Sequence, residues 1–364
     1  MDKINKVVNG ITGLDHRLMD KAQERLDNLT KPLGSLGRLE ELAKQVVGIT
    51  AEENPTLKNK VIFTLAADHG ATEEGISAFP KEVTAQMVYN FLGGGAGINV
   101  LAKHVGARVV VVDIGVAGNL KIPSTIHYPS SNKNNLFWDK KMAMGTNNFA
   151  KGPAMSRDQA VRSIEVGIEV FEEEAANGLD IAGTGEMGIG NTTAASAITA
   201  VFTKALVEDI TGRGTGINEQ GLKNKIRVIK DAIRINKPDS KDAIDVLAKV
   251  GGFEIGGLAG IILAAASRRK PVVIDGFISG AAALIAYGIE PKTKEYMIAS
   301  HSSAEKGHKV ILDYIGLKPL LDLDLRLGEG TGAALGINII EAGIKVMTEM
   351  ATFKSAGVSI KENK

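Results

Sequence analysis

Between Asp15 and Ala51 apolar residues recur at helical spacing, with Leu18, Ala22, Leu26 and Leu29 on one face and Leu36, Leu39, Leu42, Ala43 and Val46 on another. Two helices are predicted there, joined at Thr30-Lys31-Pro32-Leu33-Gly34. Past the Asn54-Pro55 break the pattern changes: short apolar runs bounded by polar or Gly residues alternate with longer helical stretches. The runs are Val61–Ala66, Val109–Asp113, Leu179–Ala182, Val272–Ile274 and Tyr296–Ala299. Their apolarity is continuous rather than alternating, which marks strands buried on both faces, as in a parallel sheet. The two most apolar windows, Gly256–Ser267 and Gly276–Ile289, fall short of the ~20 residues that span a bilayer and read as buried helices. A long amphipathic helix, roughly Gly332 to Phe353, closes the chain and is expected to pack with the N-terminal helices. The pattern predicts an α/β protein.

Several predicted strands end in polar or Gly-rich segments: Asp68-His69-Gly70, Asp113-Ile114-Gly115, Gly183-Thr184-Gly185, Asp275-Gly276 and Ser300-His301. Ligands of open parallel sheets bind beyond the carboxyl ends of the strands, so these five segments are the expected rim of one active site. Composition narrows the ligand. Glycine reaches 42 residues while aromatics are few, a balance suited to loops that approach ligands through backbone amides. Lys+Arg at 43 against Asp+Glu at 42 leaves a formal charge of +1, without the basic footprint of a polyanion binder, and nucleic acid is not an expected partner. The absence of cysteine excludes disulfides, thiolate nucleophiles and thiolate-held metals. Met1–Lys6 is interrupted by charge and shows no export signal, so a cytoplasmic protein without a membrane partner is expected.

Three segments carry candidate chemistry. The first runs from Asp180 through Gly183-Thr184-Gly185-Glu186-Met187-Gly188-Ile189-Gly190-Asn191-Thr192-Thr193 into an apolar helix. It contains G-x-G-x-x-G, the dinucleotide fingerprint. Two features oppose that reading: Glu186 would stand inside the pyrophosphate loop, and about 20 residues onward Glu208-Asp209 leads into Ile210-Thr211-Gly212-Arg213-Gly214 rather than ending a second strand. What survives is a set of amides and Thr hydroxyls at a helix start, fit for a monophosphate. The plainer alternative is a glycine-rich turn that lets helix and strand pack closely.

The second segment is Arg326-Leu327-Gly328-Glu329-Gly330-Thr331-Gly332, where flanking glycines leave Glu329 unshielded. Glu329 is a candidate general base, or merely a complement to the positive end of the following helix. Burial would draw its pKa upward and a helix start would push it down, and the sequence leaves both alternatives open. The third segment, Ala67-Asp68-His69-Gly70 to Pro80, leads into a helix holding Thr84, Gln86 and Met87. With no second His at ligand spacing, His69 reads as structural or orienting. His16, His104, His127, His301 and His308 are scattered, with only His301 at a strand end. Glu172-Glu173-Glu174 reads as a solvated face, and Asp322 and Asp324, alternating with leucines, as a half-exposed strand or turn. Neither resembles the adjacent-acid loop that holds a diphosphate-bound magnesium, and no catalytic metal is expected.

Together, Leu29-Thr30-Lys31-Pro32-Leu33-Gly34-Ser35-Leu36-Gly37, Ala67–Gly70, Gly93-Gly94-Gly95-Ala96-Gly97-Ile98-Asn99, Gly185–Thr193, Asp275-Gly276-Phe277, Ser300-His301 and Leu327–Gly332 resemble the nicotinate-nucleotide:dimethylbenzimidazole phosphoribosyltransferase family over nearly the whole chain. The resemblance implies a homodimer with a Rossmann-like parallel sheet flanked by helices and a small helical domain built from the terminal segments. Residues 1–55 would form the N-terminal part of that small domain, 56–330 the large catalytic domain, and 331–364 the helix that packs with the small one. It further implies phosphoribosyl transfer from nicotinate mononucleotide to dimethylbenzimidazole or a related base, without a cofactor. The products would be nicotinate and the α-ribazole phosphate that becomes the lower ligand of a cobalamin. Glu329 would be the catalytic base, acting with inversion at the anomeric carbon. Ser77, Gln86 and Leu327 would form the pocket for the accepting base, with Glu186 an auxiliary carboxylate. Gly188, Ile189, Gly190, Asn191, Thr192, Lys225, Asp275 and Ser303 would hold the ribose phosphate or its surroundings.

Overall fold

All five apolar runs become parallel strands of one sheet in a computed structural model of the chain, which describes residues 1–122 and 135–359; His127 lies outside the described residues. The strands are β1 (Lys60–Ala67), β2 (Ala107–Gly115), β3 (Asn135–Asp139), β4 (Ile181–Met187), β5 (Val272–Ile274) and β6 (Met297–Ala299). Their order is β3-β2-β1-β4-β5-β6, and every neighbouring pair is parallel. That is the doubly wound order, in which the chain steps outward in one direction from β1 and in the other from β4.

Burial on both faces explains the continuous apolar signal. Along β1, Val61, Phe63, Leu65 and Ala67 enter one core with the helices Arg157–Ala176, Phe253–Ser267 and Phe277–Ile289. Ile62 and Ala66 enter the other, with Leu42 and Val46 from Arg38–Thr50 and Ile337 and Ile340 from Thr331–Glu349. Both highly apolar windows are core helices, buried from Phe253 to Ala266 and from Phe277 to Ala286. Among the described residues no helix is long and apolar enough to cross a membrane.

Three details depart from the sequence reading. The strand expected to stop at Ala182 continues through Gly183-Thr184-Gly185-Glu186 to Met187, with Gly185 opposite Thr64 and Glu186 opposite Leu65. Asp113-Ile114-Gly115 is likewise the end of β2 rather than a rim loop; Asp113 accepts from the Gly115 and Val116 amides and pairs with Lys141. The edge strand β3 was not anticipated. His301–Ser302 (β7) pairs with Leu321–Asp322 (β8) in a separate two-stranded sheet, which accounts for the alternation around Asp322.

The two early helices are His16–Asp27 and Arg38–Thr50. Against the closing helix, Arg25 donates to the Met347 and Met350 carbonyls at 3.0 Å each, and Thr30 N–H donates to Ala351. That closing helix ends at Glu349, before a short helix Phe353–Ala356. The first helix, Asp2–Asn9, sends Ile4 and Val7 into the opposite core.

Candidate active site

Beyond the carboxyl ends of β1, β4, β5 and β6 lies a cavity of about 490 Å³, placed at the switch point between β1 and β4. Its polar side is built from the turn after β4 and the Arg326–Glu329 segment. Gly190, at φ +93°, makes the sharp turn into the helix Asn191–Thr203. Not all amides of this turn are free, as the sequence had suggested. Ile189 N–H donates to Thr84 Oγ1, Asn191 N–H to the Gly188 carbonyl and Thr193 N–H to the Gly190 carbonyl. The Gly190 and Thr192 amides are not used in these bonds, and both residues line the cavity.

Lys225 stands behind this turn on the helix Glu219–Asn236, buried, with Nζ donating to Thr192 Oγ1 at 2.7 Å. Burial pulls its ammonium down to about 8, opposed by the Glu305 charge. A buried lysine in contact with a hydroxyl at a helix start is an arrangement that suits a phosphate.

Glu329 faces the same cavity. Its backbone lies in the left-handed region at φ +64°, between Gly328 at +83° and Gly330 at +99°. Its carbonyl accepts from Thr64 Oγ1 (3.0 Å), and its carboxylate Oε2 accepts from the Ile98 amide (3.1 Å) at the start of the helix Gly97–His104. Burial raises the carboxyl above the ordinary range, and the Ile98 amide only partly opposes it. Burial thus outweighs the helix start, and the opposing helix is Gly97–His104 rather than the one that follows Glu329.

That following helix is capped by Asp275. Its Oδ1 accepts from the Gly332 and Ala333 amides (2.7 and 3.0 Å), and its Oδ2 from Gly330 (3.3 Å). Burial pushes the Asp275 carboxyl up to about 7 against those three amides, with Glu329 adding to the rise. Asp275 therefore anchors the Glu329 loop and does not line the cavity. Glu186, at the end of β4, does line it and accepts from the Asn191 side-chain amide. Burial, then the charges of Asp275 and Glu254, push the Glu186 carboxyl up to about 8.

Close packing joins these parts. A Cβ on Gly185 would stand 2.2 Å from the Glu329 carbonyl oxygen, so only glycine there lets the loop lie against β4. Gly185 thus permits the close packing of the plainer alternative, while Gly188–Thr192 forms the turn into the helix.

Leu327 and Ser303 line the cavity, with Ser303 Oγ donating to the Leu325 carbonyl. Ser77 and Gln86 do not. Ser77 Oγ lies 3.2 Å from the hydroxyl of Thr215, a lining residue, and itself borders a second cavity of about 630 Å³ beside Asp68. Gln86 is exposed on the helix Glu82–Gly93, whose Val83 and Met87 line the site from the adjoining face. The sequence reading missed the apolar wall of Phe79, Val83, Phe277 and Ile278, and the buried carboxylate of Glu305. His301 also lines the cavity, its pKa lowered by burial. The arrangement offers an apolar slot, a turn backed by a buried lysine, and a carboxyl raised above its ordinary range.

A family model described as phosphoribosyltransferase matches residues 11–358. The nicotinate-nucleotide–dimethylbenzimidazole phosphoribosyltransferase of Geobacter sulfurreducens is 55% identical over 360 residues, covering 99% of each chain. Its counterpart in Geobacter metallireducens is 56% identical over 359 residues, covering 98% of each. A crystal structure of the enzyme of that name from Thermus thermophilus superposes with a TM-score of 0.87 at 40% identity, covering 96% of this chain and 100% of that one.

Proposed function

Because this chain belongs to the nicotinate-nucleotide–dimethylbenzimidazole phosphoribosyltransferase family, we propose that it moves phosphoribosyl from nicotinate mononucleotide to dimethylbenzimidazole or a related base, releasing nicotinate. The observation that carries the reading is one cavity shared by the raised carboxyl of Glu329 and the Gly188–Thr192 turn. The phosphate docks on that turn with Lys225 behind it. The flat accepting base enters the slot walled by Phe79, Val83, Met87 and Leu327.

Nicotinate departs as a pyridinium that becomes neutral at the ring, so its leaving needs no general acid. As one ring nitrogen of the accepting base attacks the anomeric carbon, cationic charge builds on that base, and Glu329 removes the proton from its other nitrogen. The same carboxylate offsets oxocarbenium-like charge on the sugar. Glu186, pushed up to about 8, keeps its proton at neutral pH and leaves Glu329 as the base. Attack opposite the leaving group inverts the anomeric carbon and gives an α-linked nucleotide. Homodimeric assembly belongs to the same proposal, and light scattering checks it.

The test supplies nicotinate mononucleotide with several bases and identifies products by mass. Absence of nicotinate release overturns the function. Glu329→Gln is expected to retain fold and nucleotide binding while turnover falls ~100-fold or more. A nearly unchanged turnover number removes Glu329 from the role of base.

A further inference from the structure

The Gly188–Gly190 turn rests on a buried acid–base pair that the chemistry above does not use. His69 lies two residues past the end of β1, and its Nε2 is 2.8 Å from Glu254 Oε1, with both side chains fully buried. Glu254 sits in the first turn of the helix Phe253–Ser267. Packing around the pair is tight, since a Cβ on Gly252 would come within 2.5 Å of His69 Cε1 and 2.6 Å of Glu254 Oε2. On its other side the ring underlies the turn: a Cβ on Gly188 would stand 3.4 Å from His69 Nε2, and one on Gly190 3.7 Å from His69 Cβ. The His69 carbonyl also accepts from the Thr72 hydroxyl (2.8 Å), whose methyl lies against Gly190. One imidazole thus joins the end of β1, the start of a core helix and the turn after β4.

As a mere stabiliser the pair is poorly built. Burying two ionisable groups carries a desolvation penalty that well-packed apolar residues avoid, and among the described residues His69 Nδ1 and Glu254 Oε2 find no hydrogen-bond partner. Burial acts to lower the pKa of His69, but the Glu254 carboxylate, by charge and hydrogen bond, and then Asp68 outweigh it and raise the value. The Glu254 contact therefore favours the protonated ring beneath a turn whose proposed ligand is anionic.

We propose that His69 and Glu254 are positioning residues for the phosphate of nicotinate mononucleotide, fixing the Gly188–Thr192 turn against β1 before the nucleotide arrives. This rests on the phosphoribosyl-transfer reading, which makes that turn the phosphate seat. The test compares wild type with His69→Ala, His69→Gln and Glu254→Gln, varying the two substrates separately and using ribose 5-phosphate as competing probe. Loss of preorganisation raises the KM for nicotinate mononucleotide and the Ki for ribose 5-phosphate together, on the order of 10-fold, while kcat and the KM for the accepting base stay nearly unchanged. His69→Gln, whose amide still reaches Glu254, recovers most of the loss. A purely structural pair would lower the melting temperature without producing this split.

Folded variants with unchanged KM for the nucleotide, or with both KM values and kcat moving alike, overturn the proposal. Should His69→Ala not fold, Glu254→Gln, which preserves shape, decides. Calorimetric titration with ribose 5-phosphate keeps the two readings apart. Wild-type protein that releases no nicotinate overturns the function, whereas unchanged ribose 5-phosphate affinity in the variants overturns the role of the pair.

Discussion

Gly185→Ala tests whether the placement of Glu329 governs the rate. The added methyl would stand 2.2 Å from the Glu329 carbonyl oxygen and 2.6 Å from its carbonyl carbon. Both are backbone atoms, so no rotamer change relieves the clash. Restoring ordinary van der Waals contact moves the loop away by about 1 Å, which weakens the 3.0 Å bond from Thr64 Oγ1. Overpacking of this kind costs about 1–3 kcal/mol against a typical total of roughly 5–15, so the fold survives. A carboxyl displaced by that distance loses its near-attack geometry, and kcat is expected to fall on the order of 100-fold.

Gly183→Ala is the control. Its methyl meets the end of the Ile62 side chain at 2.4 Å, which can rotate away, and Ala333 Cβ at 3.1 Å. It should lower the melting temperature with a much smaller effect on kcat. The assay is nicotinate release at saturating concentrations of both substrates, paired with thermal melts. A destabilised Gly185→Ala enzyme with wild-type kcat, or equal rate losses in both variants, would refute the geometric argument.

Further outcomes follow from the buried charges. Glu186 is raised from an ordinary 4.5 to about 8, so the folded state binds this proton more tightly than the unfolded chain. The stability it contributes is complete below the unfolded value and is lost as pH rises through the folded one; melting temperature should therefore fall between about pH 5 and 9, and Glu186→Gln should flatten the fall. Identical slopes would contradict this. Lys225, drawn down to about 8 by burial, regains a proton when a phosphate dianion arrives. Nicotinate mononucleotide binding near pH 8.5 should take up protons, read as a buffer-dependent heat in calorimetry, and Lys225→Met should abolish the uptake. Asp275→Ala leaves the Gly330, Gly332 and Ala333 amides without their acceptor and should cost about 1–3 kcal/mol in denaturant melts while lowering kcat. Asp275→Asn keeps one acceptor oxygen and should be milder; equal losses would argue that charge, not capping, matters.

The sequence disclosed the sheet where apolar side chains alone specify it. β1, β2, β5 and β6 are buried on both faces and carry an uninterrupted signal. β3, from Asn135 to Asp139, is an edge strand with Trp138 only half-buried and Asp139 exposed, unlike the fully buried β5 and β6. The second half of β4 was hidden for another reason: Gly183, Thr184 and Gly185 have no apolar pattern, because Gly183 packs against Ile62 and Ala333 and Gly185 against the Glu329 loop, far along the chain. Glu329 itself was legible from its flanking glycines, but its electrostatics were not, since they come from burial and from the Ile98 amide of a distant segment. The apolar wall escaped a search directed at polar groups. Val83 and Met87, four residues apart on one helix face, were the available signal, and Gln86 is one position off that face.

Glu329 adopts the left-handed backbone conformation that its neighbours reach freely as glycines. A non-glycine residue there is strained by about 1–2 kcal/mol, and such strain persists only where surrounding structure over-determines it. Three partners do so: Thr64 on β1 holds its carbonyl, Ile98 its carboxylate, and Asp275 after β5 the amides that follow. Glycine at this position would relieve the backbone and remove a buried carboxyl, so a strained glutamate is intelligible through what the carboxyl does. The three partners come from segments that meet at the sheet's switch point, where β1 and β4 diverge. The same divergence opens the space for the Gly188–Thr192 turn, so that Glu329 and this turn line one cavity.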